Sequence, residues 1–191
     1  MKESTRWEDA RADRLAGRGA GQGGFRALLT PKHIKSMLFL IGMYGIWNLW
    51  AGTNGFFFPY ILRTVGAQSQ ASSVAMQAGG FFVAMLSIGL VFMRYSDRVN
   101  QRLLFAISAV VQVVGMALLA LFPLTTPVAL SYLVLVWLGS GFGAQSFFQL
   151  WSAELFPTLV RSTAQGLTFA IVRIGLGVWS FFVPALTAAG F

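Results

Sequence analysis

Arg173 is the residue whose chemistry most needs explaining, because the stretch 164–188 that contains it carries no other charge. If that stretch crosses a membrane, Arg173 sits about nine positions into it, near mid-bilayer. An isolated guanidinium at that depth costs at least about 2.5–3.5 kcal/mol unless it snorkels to the interface, so it needs water, a partner or a substrate. Polar and small residues recur through the other apolar runs at helical spacing. They form the stripes Gly45, Asn48, Gly52, Gly55, Pro59; Gln77, Gly80, Ala84, Ser87; Ser108, Gln112, Gly115; Gly141, Gln145, Gln149, Ser152; and Gly166, Ala170, Arg173, Gly177, Ser180, Pro184. Residues three and four apart share one helix face. Such stripes serve either close helix packing with amide bonds across helices or a shared wet cavity, and the residue types alone fit both. Asp97 and Glu154 are the only carboxylates beyond the first thirty-five residues, each with a base, Arg98 or Arg161, nearby. Ion pairs at such positions either bias a two-state equilibrium as helices rock or simply mark the membrane boundary. Acid–base catalysis has little material: there are six carboxylates, none inside an apolar run, one histidine, His33, and no cysteine. No catalytic site, metal site or cofactor is expected, and the chain is read as a non-enzyme.

The elements that must position these groups follow from composition. Of 191 residues, 56% are hydrophobic and 10% charged, against about 25% charged in soluble domains, which excludes a water-soluble globule. At about 1.5 Å per residue, uncharged runs of this length cross a hydrocarbon core of about 30 Å. Five spans are expected, near 37–60, 72–93, 103–122, 127–150 and 164–188, the third and fourth parted by the two prolines of FPLTTP at 122–127. The fold class is therefore all-α: a polytopic transmembrane helical bundle occupying 36–191, with the lipid bilayer as its first partner. Residues 1–35 hold eight bases and four acids and include the flexible run GRGAGQGG, so they form a solvated tail. That tail is too short and too poor in aromatics to indicate RNA binding, and no nucleic-acid partner is expected despite the net charge of +8. With the tail inside, Arg94, Arg98, Arg102 and Arg161 fall on its side and Arg63 opposite. The amino terminus is then cytoplasmic.

Several loop and span motifs carry a resemblance. ESTRW at 3–7 resembles the PESPRW element that follows the sixth span of major facilitator superfamily transporters. Gly52-Thr53-Asn54 with the aromatics after it resembles the G-x-N cluster of span seven, although the glutamine pair usual before it is here Asn48-Leu49. DRVNQR at 97–102 is a degraded D-R-x-G-R-R loop, and WSAELFPTLVR at 151–161 closely matches W-x-x-E-[LI]-F-P-T-x-x-R. The chain thus resembles the second half of a major facilitator, spans seven to eleven, in the sugar-porter and metabolite-porter branches that include inositol-type carriers. That resemblance implies a partial major facilitator fold and a secondary transporter of a sugar or polyol, such as myo-inositol, working by alternating access in the plasma membrane. It implies Asn54, Gln145, Gln149 and Arg173 as substrate-facing donors and acceptors, with Trp50 and Phe57 offering ring faces to C–H surfaces. It also implies that Asp97, Arg98, Arg102, Glu154 and Arg161 form charge pairs that hold one conformation. The expected partners are a small-molecule substrate and a missing amino-terminal half, without which the fragment would be inactive. At Arg173-Ile174-Gly175 the chain resembles the eleventh span of organic-anion and aromatic-acid carriers better than that of sugar porters. A five-span membrane partner that transports nothing is the remaining alternative.

Overall fold

The computed structural model describes residues 28–64, 66 and 68–188, together with isolated positions 8, 12, 15 and 16. The ESTRW motif and the GRGAGQGG run lie outside the described residues. Helix α1, Pro31–Thr64, starts on a proline, whose missing N–H costs nothing in a first turn. Helix α2 begins at Gln70, where the Ser69 hydroxyl caps the Ser72 N–H at 3.1 Å. It continues to Tyr95 through one π-helical turn at Ile88–Phe92. Helix α3, Gln101–Leu121, is capped by the Asn100 carboxamide on the Arg102 N–H and ends where Phe122, extended ahead of Pro123, leaves the helix. Helix α4, Thr126–Gly141, carries Pro127 in its first turn. The span expected at 127–150 is two helices: Phe142 and Gly143 part α4 from α5, Ala144–Leu155, and the Ser146 hydroxyl donates to the Gly141 carbonyl at 2.7 Å. Pro157 separates α5 from α6, Thr158–Ala188.

Four rods, Gln70–Tyr95, Gln101–Leu121, Thr126–Leu155 and Thr158–Ala185, are long and apolar enough to cross a membrane by length and composition. Helix α1, with 34 residues, is the longest element, but Asn48, Thr53, Asn54 and its glycines dilute its apolarity. It also begins inside the stretch expected to be tail, and Leu28 ahead of it is buried.

Contacts divide the chain into two units, Met1–Leu49 with Phe148–Phe191, and Trp50–Phe147. In the first, Met37, Leu40 and Tyr44 of α1 meet Phe148, Phe156, Val160, Ala164 and Val172, with Leu28 joining them. Tyr44 stacks on Phe148 at 4.3 Å between centroids. The buried face of α6 runs Val160, Ala164, Thr168, Val172, Leu176. Thr168 has no exposed surface and its hydroxyl has no hydrogen-bond partner. A buried hydroxyl left unsatisfied costs roughly 1–3 kcal/mol. Thr168→Val is therefore expected to raise the melting temperature in detergent by a stabilisation of about 1 kcal/mol, and a lower melting temperature would show that the hydroxyl is satisfied after all.

In the second unit α4 lies between α2 and α3 and is held by small residues. A Cβ on Gly80 would meet the Trp137 ring at 2.2 Å, and one on Gly115 would meet Val136 Cγ2 at 2.8 Å. Hydroxyls bridge the same faces: Ser87 donates to the Leu138 carbonyl at 2.6 Å, Ser108 to the Gly139 carbonyl at 3.0 Å, and Ser140 to Gln112 Oε1 at 3.3 Å. The stripes of α2 and α3 thus serve close packing. At one end Gln68 Nε2 donates to Thr126 Oγ1 at 2.8 Å, which brings the α1–α2 and α3–α4 connections together. Towards the other end, Phe92 and Phe105 each set an edge against Phe147, 5.4 and 5.6 Å away.

Candidate functional site

Trp50, Asn54 and Phe57 fall four and three residues apart on α1, so they share a face, and all three are half-buried. Two of them converge on a residue from another helix. Tyr132 of α4 makes side-chain hydrogen bonds to Asn54 and Trp50. Its ring lies 4.9 Å from that of Phe58, tilted by 41°. Leu62, Ala129, Leu133 and Val136 complete an apolar cluster around it. The result is a carboxamide and an indole held beside each other in an otherwise apolar setting. Gln145, half-buried in the first turn of α5, belongs to the same unit.

Gln149 and Arg173 belong to the other unit. Gln149 is exposed, and its Oε1 accepts from Gln165 Nε2 of α6, so one amide already occupies the other's acceptor. Arg173 is exposed too, with its guanidinium carbon 4.7 Å from the centroid of the Phe169 ring one turn earlier. A ring face is a favourable seat for a cation where water is scarce. Gly166, Ala170, Arg173 and Gly177 are all exposed and lie on the side of α6 opposite Val160, Ala164, Thr168 and Val172. Arg173 therefore projects from a face that its own unit leaves open.

The residues of the expected charge pairs are at helix ends. Asp97, Arg98 and Arg102 are exposed in and just after the turn that follows α2. Glu154 is exposed at the end of α5, and Arg161 Nε donates to the Phe156 carbonyl at 3.4 Å. Asp97 and Glu154 lie in different units. Tyr132 was not among the expected site residues, nor were Phe169 and Gln165. Tyr132 did carry a signal: a phenol in an apolar span seeks a hydrogen-bond partner.

Long apolar helices, closely packed through glycines and serines and carrying a few amides and, in mid-helix, Arg173, define a polytopic integral membrane protein. The family model of the Major Facilitator Superfamily matches residues 2–180, and the chain belongs to that family. Among curated proteins, the chain is 38% identical over 192 aligned positions to the Minor myo-inositol transporter IolF of Bacillus subtilis (strain 168). That alignment takes in 97% of this chain and 43% of the relative, so the chain spans less than half of the relative's length. No solved structure matches the chain significantly.

Proposed function

We propose that these residues form one part of a secondary transporter that carries a small sugar or polyol, myo-inositol foremost, by alternating access across the plasma membrane. The observation that carries this is the 38% identity to a myo-inositol transporter along 97% of the chain. In such folds two halves rock about a site near the midplane, so the activity belongs to a whole of which these residues supply a share. Asn54, Gln145 and Gln149 would meet hydroxyls, since an amide both donates and accepts, while Trp50 and Phe57 would lie against C–H faces. Asp97, Arg98, Arg102, Glu154 and Arg161 would be the ionic contacts that favour one conformation, on the cytoplasmic side together with the amino terminus. The five expected spans contain no Asp, Glu or His, so proton coupling would need a titrating group elsewhere.

An organic anion is the second candidate substrate, favoured by the exposed guanidinium of Arg173 in an apolar span. Uptake of labelled myo-inositol, glucose and an aromatic acid by the full-length protein in cells separates the two. For a polyol carrier, Arg173→Gln is expected to lower inositol uptake by no more than about threefold. For an anion carrier it should abolish at least about tenfold of the uptake, the worth of a charge-assisted hydrogen bond. Uptake of the aromatic acid without any uptake of inositol would overturn the polyol assignment.

A further inference from the structure

We propose that Arg94, Arg98 and Arg102, with Tyr95, form a headgroup site for an anionic phospholipid where α2 turns into α3. Such a site is independent of the solute carried.

The three arginines fall within nine residues, and all are exposed. Arg94 lies in the last turn of α2. The backbone keeps turning beyond it: the Ser96 N–H donates to the Phe92 carbonyl at 2.9 Å, and the Arg98 and Val99 N–H groups donate to the Tyr95 carbonyl at 3.1 and 3.0 Å. Arg98 therefore stands four residues on from Arg94 along a continuing turn, on the same side. Arg102 enters from the first turn of α3, which Asn100 caps. Only five residues join the two helices, so these long, flexible side chains can close on one anion. The one acid among them is Asp97, also exposed, which leaves the stretch 94–102 a net charge of +2.

Other arginines have seats. Arg63 donates to Gln70 Oε1 at 2.9 Å, Arg161 to the Phe156 carbonyl, and Arg173 lies over the Phe169 ring. Among the described residues no hydrogen bond, ion pair or ring contact engages the guanidinium of Arg94, Arg98 or Arg102. Arg98 and Arg102 also belong to the ionic contacts proposed above, so a lipid would hold them where those contacts are open.

The surface one turn inward is apolar. Leu90 and Met93 on α2 and Leu103 and Ile107 on α3 are exposed, and nothing lies within 4 Å of a Cβ added at Gly89. A helical turn rises about 5.4 Å, so these residues lie at acyl depth when the guanidiniums lie among headgroups. Tyr95 stands exposed at that boundary, where amphipathic rings collect. A soluble anion would leave the apolar surface uncovered, whereas a phospholipid fits both parts. The headgroup's charge follows from the site's own: guanidiniums grip a phosphate bidentately, and a net +2 favours a lipid whose phosphate is not neutralised by an ammonium group.

The test is equilibrium lipid binding to the purified full-length protein in a non-ionic detergent, read by native mass spectrometry. The probes are phosphatidylglycerol, phosphatidylethanolamine and phosphatidylcholine with identical chains, and soluble glycerol phosphate. Phosphatidylglycerol is expected to bind about tenfold more tightly than either zwitterionic lipid, and glycerol phosphate should not displace it. Arg94→Gln, Arg98→Gln and Arg102→Gln should each weaken phosphatidylglycerol binding by about fivefold, with phosphatidylcholine binding unchanged. Single variants are used because removing all three charges together risks misfolding. Arg94→Lys keeps the charge and should lose less than Arg94→Gln, while Arg63→Gln, at the opposite end of the rods, should lose nothing. Equal affinity for phosphatidylglycerol and phosphatidylcholine, tighter binding of phosphatidylethanolamine, or displacement by glycerol phosphate would overturn the assignment. So would undiminished phosphatidylglycerol binding in the three Gln variants, or an equal loss in Arg63→Gln.

Discussion

Gly141→Ala is expected to destabilise the second unit by about 3 kcal/mol, the upper part of the range for overpacking a tight interior, with most of the protein lost from the folded fraction in detergent. A Cβ at Gly141 would lie 2.5 Å from the Ala84 carbonyl oxygen and 2.5 Å from Ser87 Cβ. Neither is the far end of a flexible chain: the carbonyl belongs to the α2 backbone, and Ser87 is tied by its hydroxyl to the Leu138 carbonyl. Relief requires α2 and α4 to part, which breaks that bond and loosens Trp137 from Gly80. In a membrane the cost is not offset by hydrophobic burial, because lipid tails are as apolar as the side chains they replace; close contact is what holds the helices. Gly79 is the matched control, since nothing lies within 4 Å of its added Cβ. Gly79→Ala is expected to be neutral or to gain up to about 1 kcal/mol from helix propensity. Melting curves followed by size-exclusion recovery measure both, and equal behaviour of the two variants would show that α2 and α4 do not approach closely at Gly141.

The contrast between those two glycines also shows what was legible in the sequence. Gln77, Gly80 and Ser87, and then Ser108, Gln112 and Gly115, were visible as stripes at helical spacing, and these faces are buried. Small residues permit close approach, and helical spacing puts them on one face, so the sequence carries that information directly. Whether such a face meets another helix or a cavity is not encoded in residue type, and α6 illustrates it. Its stripe through Gly166 and Arg173 is exposed, while its packed face is built from Val160, Ala164, Val172 and Leu176. Hydrophobicity does not tell inside from outside when the solvent is itself apolar, so nothing in residue type separates the aliphatic packed face of α6 from a lipid-facing one. The interruption between α4 and α5 was hidden for another reason. Nothing at Phe142-Gly143 lowers apolarity, so the run 127–150 reads as one rod until the backbone is traced. Tyr132 went unnoticed because its partners, Asn54 and Trp50, are far from it in sequence.

If Asn54 meets the substrate as proposed, Asn54→Asp is expected to lose about 30-fold or more of uptake kcat/KM, as a site built to hydrogen-bond a hydroxyl does when its donor is removed. An alanine at this position removes the whole carboxamide and with it the hydrogen bond to Tyr132, a loss of roughly 0.5–1.5 kcal/mol in stability. Aspartate keeps the shape of the side chain and its oxygen acceptors and deletes the N–H donors. The sign of its pH dependence is fixed as well. A carboxylate only accepts, whereas a protonated carboxyl regains one O–H donor, so uptake by Asn54→Asp should rise as pH falls, with wild type measured in parallel to remove any proton coupling common to both. The Gln149 position supplies the comparison. Its Oε1 already accepts from Gln165, so in Gln149→Ala a smaller loss, about threefold, is expected, the scale of one neutral hydrogen bond at an exposed position. If Gln149→Ala were as damaging as Asn54→Asp, or if Asn54→Asp transported normally at neutral pH, substrate recognition would have to be reassigned away from the Asn54–Tyr132–Trp50 set.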